Sequence, residues 1–189
     1  MEQLVMQANA PYNPTTRHLP KGYRFVLFDE SETDIADWKA IMMQEPAPRD
    51  GADSCYHLMI DTYEDIDKKR DIHFIENEQG ERVATVTTIT HRDNSGYVHM
   101  VKTIPSERGK GLGQAMAQYA LRIFEQRNVQ TVILTTDDFR LPAIKTYLDA
   151  GFLPVVHGAR DSEINARWDA VLKNLNYTCV ERIESECAH

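Results

Sequence analysis

The chain has 189 residues, with 29 acidic against 21 basic side chains and a net charge of −8, a balance that excludes nucleic acid as a main partner because phosphate binding needs a basic face. No apolar run approaches the roughly 20 residues that cross a bilayer, and Cys55, Cys179 and Cys187, with no C-x-x-C spacing, set out neither a zinc site nor a disulfide framework. The expectation is one domain large enough to bury its own core, with reduced thiols in a cytoplasm and no metal, since the first residues lack the basic and apolar regions of a secretion signal.

Residues 1–21 carry Pro11, Pro14 and Pro20 with little periodicity and read as an extended arm, which leaves residues 22–189 as the domain. Residues 23–28 read as a strand. Ser31 opens a helix, with Asp34 three residues on as a cap and Ile35, Trp38, Ile41 and Met42 on its inner stripe. Pro46 and Pro48 suit a loop, not a helix interior, and residues 55–66 read as a second helix. Residues 71–75 and 83–90 form a hairpin around Asn77 to Gly80, and Asp93 to Gly96 turn the chain into a strand over residues 97–103. After a glycine-rich loop, Leu112, Ala115, Met116, Tyr119, Ala120, Ile123 and Phe124 fall on one helical stripe.

Residues 131–136 read as a strand. Pro142 fits the first turn of the helix that follows, and Gly151 the left-handed position that ends it. A further strand comes next, then a helix marked by Ile164, Trp168, Val171, Leu172 and Leu175, then a final strand near residues 177–183. Trp38 and Trp168 read as core residues, and His73, His91 and His157 show no metal spacing. Asp137 and Asp138 read as caps of the helix that begins near Pro142. The element order predicts an α/β (α+β) domain.

The loop Arg108-Gly109-Lys110-Gly111-Leu112-Gly113 carries the chemistry. Alternating glycines strip the backbone where a helix begins, and a helix N-terminus offers unpaired N–H donors and about half a positive charge, a site for phosphate oxygens. A P-loop is excluded because Gly109-Lys110 is followed by Gly111, with no Ser or Thr for a magnesium ion. A dinucleotide fingerprint is excluded because its sixth position, counted from Gly109 or from Gly111, is Gln114 or Met116.

Arg108, Gly111 and Gly113 occupy the fixed places of a [Q/R]-x-x-G-x-[G/A] signature, and residues 143–152 match A-x-x-x-Y-x-x-x-G-F. In these two motifs, in this order, the chain resembles the GNAT N-acetyltransferases over residues 23–156. The resemblance implies the fold of that family: a mixed, mostly antiparallel sheet of about six or seven strands flanked by helices and splayed at its centre. It implies acetyl-CoA as cosubstrate, with the amides of Gly109, Lys110, Gly111, Leu112, Gly113 and Gln114 on its pyrophosphate and the charge of Arg108 or Lys110 nearby. Val101, Lys102 and Thr103 on the preceding strand are then cofactor-binding, Val101 and Thr103 through main-chain contacts to the pantetheine arm and the Val101 amide as oxyanion donor. The family often has an Asn near the start of the second motif's helix; here Arg140 and Leu141 stand in that neighbourhood.

Amine acetylation also needs a base for the amine proton and an acid for the departing thiolate. The family match assigns the acid to Tyr147. His99, nine residues before Arg108, is the candidate base, on the face of Val101 and Thr103 by the period-two rule. Its alternatives are an ordered water, Glu76 and Tyr97. The acceptor is expected to be a small primary amine, drawn by acidic residues among Asp29, Glu30, Glu32, Asp34, Asp37, Asp61, Glu64, Asp65 and Asp67 that face the cleft. A peptide N-terminus or lysine side chain, and a non-catalytic acyl-CoA-binding module, are the alternatives; a homodimer is compatible with the chain.

Overall fold

Strand β4 (Arg82–Thr90) is buried along nearly its whole length, Thr85, Thr87 and Thr88 included, so it must be covered on both faces. A computed structural model, describing residues 2–12, 18–156 and 162–184, shows why. β4 lies within an eight-stranded mixed sheet of order β2-β3-β4-β5-β6-β1-β7-β8. The strands are β1 (Leu4–Asn9), β2 (Arg24–Leu27), β3 (Ile72–Glu76), β5 (Gly96–Thr103), β6 (Thr131–Thr136), β7 (Leu153–Val156) and the two-residue β8 (Ile183–Glu184).

Helices α1 (Glu32–Met42) and α2 (Gly51–Tyr56), with the turn that follows α2, cover one face, burying Trp38, Ile41, Tyr56 and Ile60 against Ile72 and Phe74. Helices α4 (Leu112–Gln126), α5 (Leu141–Ala150) and α6 (Ser162–Asn174) cover the other, where Met116, Phe124, Ile144 and Trp168 meet Met6, Ile75, Val86, Val98 and Leu134. A one-turn helix, α3 (Lys68–Asp71), leads into β3. Among the described residues no helix is long and apolar enough to cross a membrane.

Most of the expected elements are present. Ser31 caps α1 by accepting from the Asp34 amide at 3.1 Å, and Trp38 and Trp168 are fully buried. Three features differ. The arm predicted over residues 1–21 supplies β1, an interior strand antiparallel to β6 from Leu4↔Thr136 to Asn9↔Thr131 and to β7 at Met6↔Pro154 and Gln7↔Leu153. Leu4, Met6 and Ala8 point into the core by simple alternation, a signal too short to stand out beside three prolines. The second helix is α2 followed by a π-helical turn, His57–Asp61. The final strand shrinks to β8, paired with Val155 and Val156.

The central feature is a gap. β5 and β6 are the sheet's central parallel pair, and they stay in register only at Gly96↔Val132 and Tyr97↔Ile133. Beyond that they part, which is the splay expected from the resemblance. Gly96 sits where they still touch. A β-carbon there would lie 2.9 Å from the Phe124 ring and 2.9 Å from Val132 Cγ2. Gly96→Ala is therefore expected to cost about 1–3 kcal/mol by overpacking, measured by urea denaturation.

Candidate active site

Strands β4 and β5 slip once. Thr87 faces His99 and Thr85 faces Lys102, so Met100 and Val101 together stand against Val86 alone, with Met100 at φ +50°. This is a β-bulge, and it changes which side chains share a face. Thr85 and Thr87 lie on one face of β4, so His99 and Lys102 both point toward α1 and α2. Met100 packs there too, whereas Val101 packs with the α4 cluster and Thr103 faces Ala84 of that cluster. The period-two expectation that His99 shares a face with Val101 and Thr103 is corrected: one extra residue inverts the alternation between them. Neither Met100 nor Val101 has a register partner in β4 or in β6.

The glycine loop follows a short turn at Pro105–Glu107. Gly109 and Gly111 adopt φ +78° and +83°, and Gly111 is the N-cap of α4 with no side-chain cap. The Ala115 amide donates to the Gly111 carbonyl at 3.0 Å, so the amides of Leu112, Gly113 and Gln114 before it form the open start of the helix. A β-carbon at Gly113 would stand 3.8 Å from Thr146 Cγ2, which brings α5 against this helix start one residue from Tyr147.

The cationic side chains near the loop are held by protein. Arg108 donates to the carbonyls of Glu45 at 2.5 Å and Thr103 at 3.4 Å. Lys110 donates to Glu107 at 2.9 Å and to the Tyr23 hydroxyl at 3.1 Å, so Glu107 answers its charge. Lys102 spends its ammonium on the carbonyls of Met42, Gln44 and Pro46. What Lys102 can offer a cofactor is its main chain.

Tyr147 is buried on α5, with its ring 6.0 Å from Phe152 in an edge-on contact. Burial pushes its hydroxyl up to about 12; Tyr97 adds to the rise and Arg140 opposes it. On the other face, His99 is 9% exposed beside the backbone of Met59 in the π-helical turn, and its Nε2 is buried without a partner. Burial presses its imidazole down to about 4, against the smaller lift from Met59. The rings of Tyr63 and Tyr97 lie 5.3 and 5.2 Å from it, and His91 lies 6.2 Å beyond Tyr97. His91 Nδ1 meets Asp65 Oδ2 at 2.7 Å, and the Tyr97 hydroxyl reaches Thr135 Oγ1 at 2.9 Å, bridging the parted strands.

Other expected participants are engaged elsewhere. Glu76, an alternative base, is buried between Arg24 and Arg82. Asp137 and Asp138 do not cap α5: its N-cap is Arg140, without a side-chain bond, and the two carboxylates pair with Arg140 at 2.9 Å and with Arg167. Among the acidic residues of the first helices, Asp34 binds the Asp29 amide, Asp61 pairs with Lys68 and Asp67 caps α3. Asp65 alone joins the ring cluster, through His91. His73 sits in the core beside Tyr119, and His157 and Cys187 lie outside the described residues. Among the described residues no group of His, Cys, Asp and Glu could hold a metal ion. Tyr63, Asp65 and Met59 were not singled out together at the sequence level, because only the folded β-sheet brings residues 59–65 beside residues 91–99.

His73 and His99 predict a pH response. Burial drives both imidazoles down to about 4, Arg127 adding to the shift of His73. Their folded values lie below the unfolded value, so on acidification the unfolded chain takes up protons first and stability falls between about pH 6.5 and 4. At roughly 1.36 kcal/mol per pKa unit, each contributes a loss on the order of 3 kcal/mol across that window. Urea titrations at pH 7.5 and 4.5 measure the sum, and NMR should find two imidazoles neutral in the folded protein at pH 5.5.

A mixed sheet parted at its central parallel pair, with an uncapped helix start at the gap, defines the acyl-CoA N-acyltransferase class of fold. The model of the Acetyltransferase (GNAT) family matches residues 33–152, and the chain belongs to that family, whose members are acyltransferases that use acetyl-CoA. A mycothiol acetyltransferase from Thermomonospora curvata is 30% identical over 79 residues, 42% of this chain and 27% of that protein. Among solved structures, a GCN5-related N-acetyltransferase from Sphaerobacter thermophilus aligns with TM-score 0.68 at 19% identity, covering 80% of this chain and 48% of that one. Another from Kribbella flavida aligns at 0.55 and 21%, covering 82% and 55%. The chain thus spans about a quarter of the first protein and about half of the two structures, and the structural likenesses show a shared fold.

Proposed function

We propose that this domain moves the acetyl group of acetyl-CoA directly to the primary amine of a small cationic acceptor. One observation carries the reading: β5 and β6 part beyond Gly96 and Tyr97, the uncapped start of α4 follows β5, and a buried phenol, Tyr147, lies on the α4 face while an unpartnered imidazole nitrogen, of His99, lies on the α1 face. In this reading the amides of residues 109–114 hold the pyrophosphate, with Arg108 free to add charge by leaving the Glu45 carbonyl. The Val101 amide, which lacks a register partner in either adjacent strand, donates to the acetyl oxygen as negative charge develops there. Tyr147 keeps its proton until the thiolate departs.

His99 takes the amine side. With its pKa near 4 it is neutral throughout the physiological range, so Nε2 presents a lone pair that takes the amine proton, directly or through one intervening water, as the carbon–nitrogen bond forms, and passes it on to solvent. The faces of Tyr63 and Tyr97 and the carboxylate of Asp65 favour a positively charged amine arriving there. This narrows the acidic attraction expected from two helices to a single carboxylate.

The test is thiol release from acetyl-CoA across a panel of amines, run beside CoA calorimetry. Turnover with small cationic amines supports the reading. Turnover confined to anionic or neutral acceptors, or to peptides, overturns the acceptor class. CoA binding with no release from any amine assigns an acyl-CoA-binding module instead.

A further inference from the structure

The segment joining α1 to α2 turns its carbonyls toward two cations, Lys102 at the end of β5 and Arg108 at the start of the glycine loop. Lys102 Nζ lies 2.8 Å from the Met42 carbonyl, 2.5 Å from that of Gln44 and 2.7 Å from that of Pro46. Arg108 takes the Glu45 carbonyl between them at 2.5 Å. An ammonium has three N–H donors, so Lys102 commits all of them to this one stretch. Met42 closes α1, where carbonyls lack intrahelical partners and the helix dipole is negative; a cation there is favourable on both counts. Pro46 and Pro48 remove two amides from the segment, so it has less of its own backbone bonding with which to hold a shape.

The arrangement depends on the β5 bulge. Without the extra residue, alternation would send Lys102 toward α4 and away from residues 42–46. With it, Lys102 and His99 share a face, and the segment is fastened on the side of the sheet that holds the buried, unpartnered Nε2 of His99. Lys102 is half-buried. Burial and the nearby Arg108 and Arg140 press its pKa down, opposed by Cys55 and Glu45, and three carbonyl oxygens suit its charged form.

We infer that Lys102 is a positioning residue for the acceptor: its ammonium pins residues 42–46 against β5 and so fixes the wall that presents the amine to His99. The inference rests on the proposed reading of the His99 face as the acceptor side. It gives Lys102 a task distinct from cofactor binding.

Lys102→Met keeps the aliphatic stem and removes the charge. The expected result is an acceptor KM raised about tenfold or more, with kcat within about threefold, the pattern of a lost positioning contact. The CoA dissociation constant, measured by calorimetry without acceptor, should stay within about twofold, and Lys102→Arg should recover most of the acceptor affinity. Amide hydrogen exchange across residues 43–50 should accelerate by about tenfold or more in Lys102→Met. Lys102→Gln, which keeps two donors without charge, carries the same readouts if the methionine variant does not fold. Weakened CoA binding with unchanged acceptor KM would make Lys102 a cofactor ligand and overturn the inference. Unchanged exchange over residues 43–50 overturns the clamp itself. If the wild-type protein acetylates no amine, the acceptor role falls with the proposed function, while the exchange measurement still decides whether Lys102 fastens the segment.

Discussion

Tyr147→Phe is expected to lower kcat by about two to three orders of magnitude while leaving the CoA dissociation constant within about twofold, since a positioned proton donor contributes on this scale. The substitution removes one oxygen and keeps the ring, so the edge-on contact with Phe152 and the packing of α5 on α4 survive. The phenol is held near 12 mainly by burial, so it is fully protonated at neutral pH. The same burial raises the basicity of a thiolate formed beside it, because desolvation disfavours either anion. The proton therefore stays on oxygen before the reaction and is wanted by sulfur after the carbon–sulfur bond breaks. Single-turnover thiol release, together with calorimetry, separates this step from binding. A Phe variant with wild-type kcat would remove Tyr147 from the chemistry and leave it a packing residue.

Gly111→Val is the second large effect, and it falls on binding. Gly111 caps α4 at φ +83°, a region closed to β-branched residues. Holding valine there costs about 1–3 kcal/mol, which the chain relieves by rotating the loop and dispersing the amides that start the helix. The CoA dissociation constant should rise about 10- to 100-fold, roughly the same free energy on the binding scale. Gly111→Ala should give a smaller rise in the same direction. Circular dichroism controls for loss of α4, whose apolar stripe of Leu112, Met116, Ala120 and Phe124 is buried independently of the loop. A folded valine variant with native CoA affinity would mean that the pyrophosphate is held elsewhere.

Much of the scaffold is legible in the residues because its signals are local. The α4 stripe, the Ser31–Asp34 cap, Pro142 in the first turn of α5 and Gly151 at its left-handed end each involve neighbours within a few positions. The glycine loop is legible for the same reason: backbone freedom and a helix start are written in six consecutive letters. The π-helical turn after α2 is not, since His57 to Asp61 differ little from an ordinary helical stretch and only folding brings the backbone of Met59 beside His99. Nor are the ion pairs that withdraw Glu76 and Asp138 from the chemistry and from capping, because their partners come from other elements; Asp137 pairs three residues on, with Arg140.

From its letters alone this chain settles the start of α1, the apolar stripe of α4 and both ends of α5, and that a bare backbone loop joins the strand carrying His99 to α4. Tertiary structure decided the rest. β1 enters the middle of the sheet because its alternating Leu4, Met6 and Ala8 complete a core that only β6, β7 and the helices can close. A single extra residue at Met100 and Val101 turns Lys102 to the face of His99 and leaves Val101 without a register partner on either side of β5. Pairing register is a property of two strands together, set by side chains packing on both faces at once, and no one-dimensional pattern in either strand contains it.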